Sequence, residues 1–226
     1  MYKIIVTYGK AGECSKLSHI ELMKIIETSL KESEEIPLRY IDKLDQKLDI
    51  AFVSSLPIGM EGFSELFELG LTEKLPLAFF IKTINNILPK GIAIFGAEYL
   101  NSIDDTIIDK IHSAIYEIEL KYPNYLFYNK NKSEIASLKE MYMGKMRDFL
   151  NQDNIMVVKK SKDRMEKIDI KTKIKEYNFL IDNSIQITVS KGIFDNLDPN
   201  YIMLGYNEYI DEDLDYTIKR LKILYD

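Results

Sequence analysis

The histidine at position 19 carries the side chain best suited to chemistry in this chain. An imidazole titrates near neutral pH, so it can act as an acid, a base or a hydrogen-bond donor. It directly follows Ser18, and Ser18 with Glu21 forms a helix-capping pattern. His19 is therefore either a partly exposed first helical residue or a residue that acts on a ligand. No Ser, Asp or Cys stands around it at the spacing of a hydrolytic triad, so that chemistry is not predicted.

A glycine-containing loop at residues 8–12 precedes the same predicted helix. Backbone N–H groups at such a loop, together with Lys10, could bind an anion. The glycine spacing fits neither a Walker loop nor a dinucleotide fingerprint, and glycines that simply form a turn are the alternative. The predicted ligand-binding residues are Lys10, Gly12, Ser18 and His19.

A basic window is the feature most typical of a nucleic-acid-binding protein. Between positions 159 and 175 the chain has eight basic residues and three acidic ones. On adjoining strands such a set could line a phosphate backbone, while Tyr177 and Phe179 could stack on bases. A solvated hairpin of a lysine-rich protein is the alternative. The predicted nucleic-acid-binding residues are Lys159, Lys160, Lys162, Arg164, Lys167, Lys171 and Lys173.

Two glutamates in one predicted strand could suggest a pair of catalytic carboxylates. Glu65 and Glu68 are three residues apart, and side chains at that spacing in a strand point to opposite faces. We therefore expect ordinary charges at the edge of a sheet and no paired-carboxylate catalyst.

The composition excludes several classes of site. Cys14 is the only cysteine, and His19 and His112 are the only histidines. No intrachain disulfide, cysteine-ligated cluster or Cys-rich zinc site can be built from this set, so we expect no metal and no cofactor. The net charge of −6 argues against general attraction to a phosphate backbone. There is no membrane-spanning apolar run and no signal-peptide pattern, so we expect a cytoplasmic protein without a membrane partner.

The apolar periodicity of the first half predicts a strand, a helix, two strands, a helix and a strand. This order is the ferredoxin-like βαββαβ arrangement, which we assign to residues 1–101. The predicted strands lie at 3–7, 38–40, 50–54, 65–71 and 92–99, one more than this order requires, and the helices at 18–34 and from 76 to about 89.

The second half, residues 102–226, repeats this order loosely. Its tail at 211–225 fits either a helix or a strand, and a second ferredoxin-like unit requires the strand, which we favour. The fold class is therefore α+β, with two ferredoxin-like units whose antiparallel sheets are packed by helices. The second unit carries the basic hairpin. The predicted helices lie at 104–111 and from 133 to 151, with another begun by Asp198 and Pro199, and the strands at 114–121, 155–159, 167–174 and 179–189.

The block at residues 10–19, with its continuation through Leu30, resembles the radical-SAM-linked family of uncharacterised proteins. The segments 56–59 and 65–68 extend the resemblance. Leu17-Ser18-His19 matches a recurrent block of that family. Residues 162–174 resemble a second block, in which Lys171 replaces the usual arginine. Between Tyr40 and Phe52 the family usually has a Gly-Phe-Asn-Pro-His-Pro-Lys loop, which residues 43–49 replace.

This resemblance implies an accessory role in RNA or ribosome modification. The leading hypothesis is a non-catalytic accessory protein whose partners are a radical-SAM protein and an RNA or a further protein. The rival hypothesis is an RNA-processing endoribonuclease of double ferredoxin-like architecture in which His19 is catalytic. A third is a structural dimerisation module that pairs through strand edges.

Overall fold

A computed structural model describes residues 1–161, 164–181 and 183–226, with residues 160, 161 and 164 described as backbone only. It shows a mixed α+β protein with a large sheet and, in these ranges, four α-helices. The chain forms two compact units. The first comprises Met1–Ile111 and Arg220–Asp226, and the second comprises His112–Lys219. The first unit thus continues to residue 111, beyond the predicted boundary at residue 101, and it also includes residues 220–226. No helix in the described ranges combines the length and apolarity needed to cross a membrane.

The first unit has a central antiparallel sheet. Its strand order is β4–β5–β1–β6, and the end of the last strand of the chain also pairs with β5. In this register Val6 lies between Phe67 and Ala97. The strands are β1 (Tyr2–Lys10), β2 (Tyr40–Asp42), β3 (Lys47–Leu48), β4 (Ile50–Phe52), β5 (Glu61–Leu71) and β6 (Ile92–Tyr99), and the helices are α1 (His19–Glu32) and α2 (Leu77–Asn85).

The first helix begins where the capping pattern predicts. The Ser18 hydroxyl accepts from the Glu21 N–H at 3.3 Å, and the Ser18 N–H donates to the Glu21 carboxylate at 2.8 Å. Leu22, Ile26 and Leu30 are buried at helical spacing and pack into the main core of the unit. The cap and this apolar stripe fix the position of His19 at the start of α1.

Glu65 and Glu68 lie on opposite faces of β5, as the strand period predicts. Glu65 shares the helix-covered face with Phe67, and Glu68 shares the other face with Leu66. The expectation of ordinary edge charges is wrong, because both glutamates are buried. Each carboxylate is hydrogen-bonded within the unit; Glu68 accepts from the Ile107 N–H at 2.7 Å.

The second unit also has an antiparallel sheet, with the strand order β10–β11–β7–β12. The strands β8 and β9 form a separate hairpin. The strands are β7 (Ile111–Lys121), β8 (Met156–Ser161), β9 (Arg164–Asp169), β10 (Ile174–Phe179), β11 (Ser184–Ser190) and β12 (Asp215–Tyr225), and the helices are α3 (Lys132–Leu150) and α4 (Asn200–Ile210).

The strand alternative for the tail is confirmed by β12, whereas the predicted helix at 104–111 is wrong. Only a 3-10 turn at Ile108–Lys110 forms there, and β7 begins at Ile111. The physical reason is that the Glu68 carboxylate binds the hydroxyl of Thr106 and the N–H of Ile107, which anchors this segment as a loop.

Element boundaries in the second unit also differ from the predictions. The capping box of α3 uses Asn131 and Glu134, so the helix begins before Ser133. A 3-10 turn at Lys171–Lys173 interrupts the strand predicted at 167–174. The Asp198 carboxylate accepts from the Asn200 N–H at 3.0 Å, and α4 begins at Asn200, one residue after the predicted Pro199.

Candidate functional site

Lys10 lies at the end of β1 with its side chain directed into the first unit. The residue is 0% exposed, and its ammonium donates to the carbonyls of Ser15 and Leu17, both at 3.1 Å. These bonds tie the chain before α1 to the sheet. Burial lowers the pKa of Lys10, and the negative charge of Glu65 opposes that shift. The Lys10 ammonium, which was predicted to contact an anion, is therefore already bound by two carbonyls inside the unit.

The polar groups of Gly12 and Ser18 also have hydrogen-bond partners within the chain. The Gly12 N–H donates to the Glu61 carboxylate at 2.9 Å, at a positive φ of 59° that suits glycine. Ser18 is occupied by its capping box with Glu21. An anion does bind at this loop, but Glu61 of the same chain supplies it.

His19 is the predicted ligand-binding residue that keeps an unused polar atom. Its Nδ1 is buried and has no hydrogen-bond partner among the described residues. Its ring stands edge-on to Phe52, with 5.8 Å between ring centroids. Burial, followed by the positive charge of Lys10, lowers the pKa of His19. At neutral pH the imidazole is therefore uncharged and able to accept a hydrogen bond or a proton.

A buried ion pair beside these residues was missed by the sequence analysis. Arg220, from β12, donates through Nε to Glu65 Oε1 at 2.7 Å and through a second nitrogen to Oε2. The guanidinium also donates to Ser54 Oγ at 3.2 Å and to the Ser55 carbonyl at 3.3 Å. Both ionic side chains are at most 1% exposed. The two residues are 155 positions apart, so no local pattern links them.

The described side chains around His19 carry an excess of positive charge. Lys10 and Arg220 contribute two cations, and Glu65 contributes one anion. A charge inside a protein is screened less than one in water. This cluster, defined as Lys10, His19, Glu65 and Arg220, therefore favours a ligand that brings a negative or hydrogen-bond-donating group to His19.

Among the side chains that the structure describes, the predicted nucleic-acid residues do not all lie on one surface. Lys159 and Lys167 are exposed, but the register of β8 and β9 places them on opposite faces of the hairpin. Lys171 donates to the Leu150 carbonyl at 2.5 Å, and Lys173 pairs with Asp195 at 3.4 Å. Lys160 and Arg164 are described as backbone only, and Lys162 lies outside the described residues.

The lowered pKa of His19 predicts a pH-dependent stability. Below its ordinary pKa of 6.5 the unfolded chain binds a proton that the folded chain binds only at lower pH. The unfolding free energy should therefore fall as the pH decreases from 6.5 towards the folded pKa, by at most about 1.4 kcal/mol per pH unit. Urea unfolding at pH 7.5 and 5.5 measures this loss. It should shrink in His19→Gln and persist in His112→Gln; an equal loss in all three proteins would contradict the assignment.

Comparisons with known proteins place the chain in a family but add no activity. No curated protein matches it. One solved structure, described as an unknown protein from Galdieria sulphuraria, is 10% identical, with 97% of this chain and 98% of that chain covered and a TM-score of 0.30. A family model described as an uncharacterized protein conserved in bacteria (DUF2344) matches residues 3–199. Arg220 of the cluster lies beyond this match. Since the match spans most of its length, the chain belongs to DUF2344, a family of uncharacterised proteins conserved in bacteria.

Proposed function

We propose that this protein is a non-catalytic accessory protein of a radical-SAM enzyme and binds RNA or a protein partner through His19. The resemblance of residues 10–19 to radical-SAM-linked proteins supports the choice of enzyme. The observation that carries the binding role is the buried Nδ1 of His19, which has no partner among the described residues. A buried polar atom is normally satisfied, so an unused one points to a bound group.

The surroundings of His19 support binding because the neighbouring side chains are already held by hydrogen bonds within the unit. Lys10 holds the chain before α1, and Arg220 holds both Glu65 and the loop at Ser54. These side chains are held in place and carry a net positive charge, so the His19 imidazole is a preorganised hydrogen-bond acceptor. Preorganisation lowers the entropy lost on binding.

The assignment of each unit to the ferredoxin-like fold is part of the same proposal. Without the hairpin β2–β3, the order of the first unit is β1, α1, β4, β5, α2, β6. Without the hairpin β8–β9, the order of the second unit is β7, α3, β10, β11, α4, β12. Each order supports a ferredoxin-like βαββαβ unit with one added hairpin. We place the protein in the cytoplasm, where such an accessory role would operate.

Co-purification from the native host tests the proposal. The wild-type chain should retain a radical-SAM protein and an RNA or further protein, and His19→Ala should retain less of them. Lys159→Glu combined with Lys167→Glu separates the two kinds of partner, because RNA affinity falls when lysines neutralise fewer phosphates. Retention of neither a radical-SAM protein nor RNA by the wild type would contradict the proposal.

The second candidate is an endoribonuclease that uses His19 as a general base. The observation that favours it is the lowered pKa, which leaves the imidazole unprotonated at neutral pH. Such an enzyme would cleave RNA without added metal and lose this activity in His19→Ala.

A further inference from the structure

A pocket in the second unit lies where the last turns of α3 and α4 come together. Its volume is about 240 Å³. It combines two aromatic rings with two side-chain amides and a single carboxylate. The residues that matter here are Phe149, Gln152, Asn154, Gly205, Glu208 and Tyr209.

The absence of a side chain at Gly205 shapes this pocket. A Cβ there would lie 2.8 Å from Val157 Cγ1 and 3.1 Å from Phe149 Cζ, so a larger residue would require these side chains to move. The Phe149 and Tyr209 rings stand 5.7 Å apart and are inclined by 48°. Tyr209 is 47% exposed and can offer π-electron density to a group that enters the pocket, whereas Phe149 is 3% exposed and supports the Tyr209 ring.

The electrostatics of the pocket favour a cation. The helix α4 ends at Ile210, so its partially negative C-terminal end lies beside the pocket, whereas the Leu150 carbonyl at the end of α3 already accepts from the Lys171 ammonium. The Glu208 side chain is exposed, and no residue in the described ranges forms an ion pair with it. The Gln152 amide nitrogen donates to the Phe149 carbonyl at 3.1 Å, which leaves its oxygen as an acceptor.

The rim of the pocket is apolar and exposed. Met156, which lines the pocket, is 52% exposed, and Tyr209 adds part of its ring. An aliphatic stem could pack on such a rim while its charged end reached the carboxylate. An aromatic face, a carboxylate and an amide oxygen together match a planar guanidinium better than a compact ammonium.

We propose that this pocket binds an arginine side chain of a partner protein. The guanidinium stacks on Tyr209 and donates to Glu208, and the aliphatic stem packs on Met156. The site lies in the second unit and does not depend on the role of His19.

Titration of the full chain with a blocked Gly-Arg-Gly peptide, followed by NMR, tests this site. Amide shifts should concentrate on residues 149–156 and 204–209. Glu208→Gln should weaken binding about fivefold to tenfold through loss of a charge-assisted hydrogen bond. Tyr209→Leu should weaken it about threefold to fivefold through loss of the cation–π contact. Asp153→Asn is the matched control, because it removes one exposed charge close by and should leave the affinity unchanged.

Two further peptides decide the chemistry. Gly-citrulline-Gly keeps the shape and loses the charge, so it should not bind measurably. Gly-Lys-Gly should bind more weakly than the arginine peptide. Equal binding of the citrulline or lysine peptide, shifts at another surface, or equal losses in Asp153→Asn and Glu208→Gln would overturn the proposal. The amide spectrum of each free variant shows whether it is folded.

Discussion

Replacing Arg220 with methionine should lower the unfolding free energy by about 3–5 kcal/mol. The substitution leaves the Glu65 carboxylate buried without its cation, and it also removes the bonds to Ser54 and Ser55. Restoring the charge balance should restore stability. The double variant Glu65→Leu with Arg220→Met should therefore unfold close to the wild type, since apolar side chains replace buried ion pairs at little cost.

Lys219→Met provides the matched control for this measurement. Lys219 is the preceding residue on β12, and its ammonium pairs with Glu117 at 3.6 Å near the surface. Exposed pairs contribute at most about 1 kcal/mol, so this variant should change little. Urea unfolding followed by circular dichroism gives the free energies, and hydrogen exchange at β1 and β5 locates the loss. Similar losses in Arg220→Met and Lys219→Met would refute the importance of the buried pair.

His19→Ala should keep the fold of the first unit and weaken binding of the RNA or protein partner by about tenfold. That magnitude is what a hydrogen bond to a buried group contributes. The fold should survive because the capping box of Ser18 and Glu21 and the buried face of α1 do not use the imidazole. Binding is measured with the partner recovered by co-purification, and the fold by circular dichroism.

The same variant separates a binding role from catalysis. A general base would lower an RNA-cleavage rate by roughly 10² to 10⁴ while binding persisted. We expect the wild type to show no RNA-cleavage activity. Metal-independent cleavage by the wild type, abolished in His19→Ala with unchanged affinity, would refute the accessory role and favour the endoribonuclease. His19→Gln, which keeps a hydrogen-bonding side chain, should regain part of the binding but none of a proton-transfer rate.

The sequence by itself predicted those elements whose signals are local. Ser18 and Glu21 predicted the start of α1, and alternating apolar residues predicted β7. A cap and a strand period each depend on residues a few positions apart, so they can be recognised without the rest of the fold. The same local reasoning placed His19 at the start of a helix and Glu65 and Glu68 on opposite faces.

Local signals failed where a distant residue supplied the decisive contact. The segment at 104–111 is a loop because Glu68, far earlier in the chain, binds its hydroxyl and amide groups. Likewise, no local pattern indicates that the β8–β9 register places Lys159 and Lys167 on opposite faces, or that Lys171 and Lys173 contact Leu150 and Asp195.

Only the tertiary structure could decide the state of the cluster around His19. Lys10 is enclosed, and Glu65 becomes part of a buried ion pair, because Arg220 reaches it from the last strand of the chain. A charged residue is stable inside a protein only when another group pairs with it or binds it. That partner is fixed by how the strands are arranged and not by spacing along the chain, so the sequence supplied the charges while the fold determined which of them are buried together.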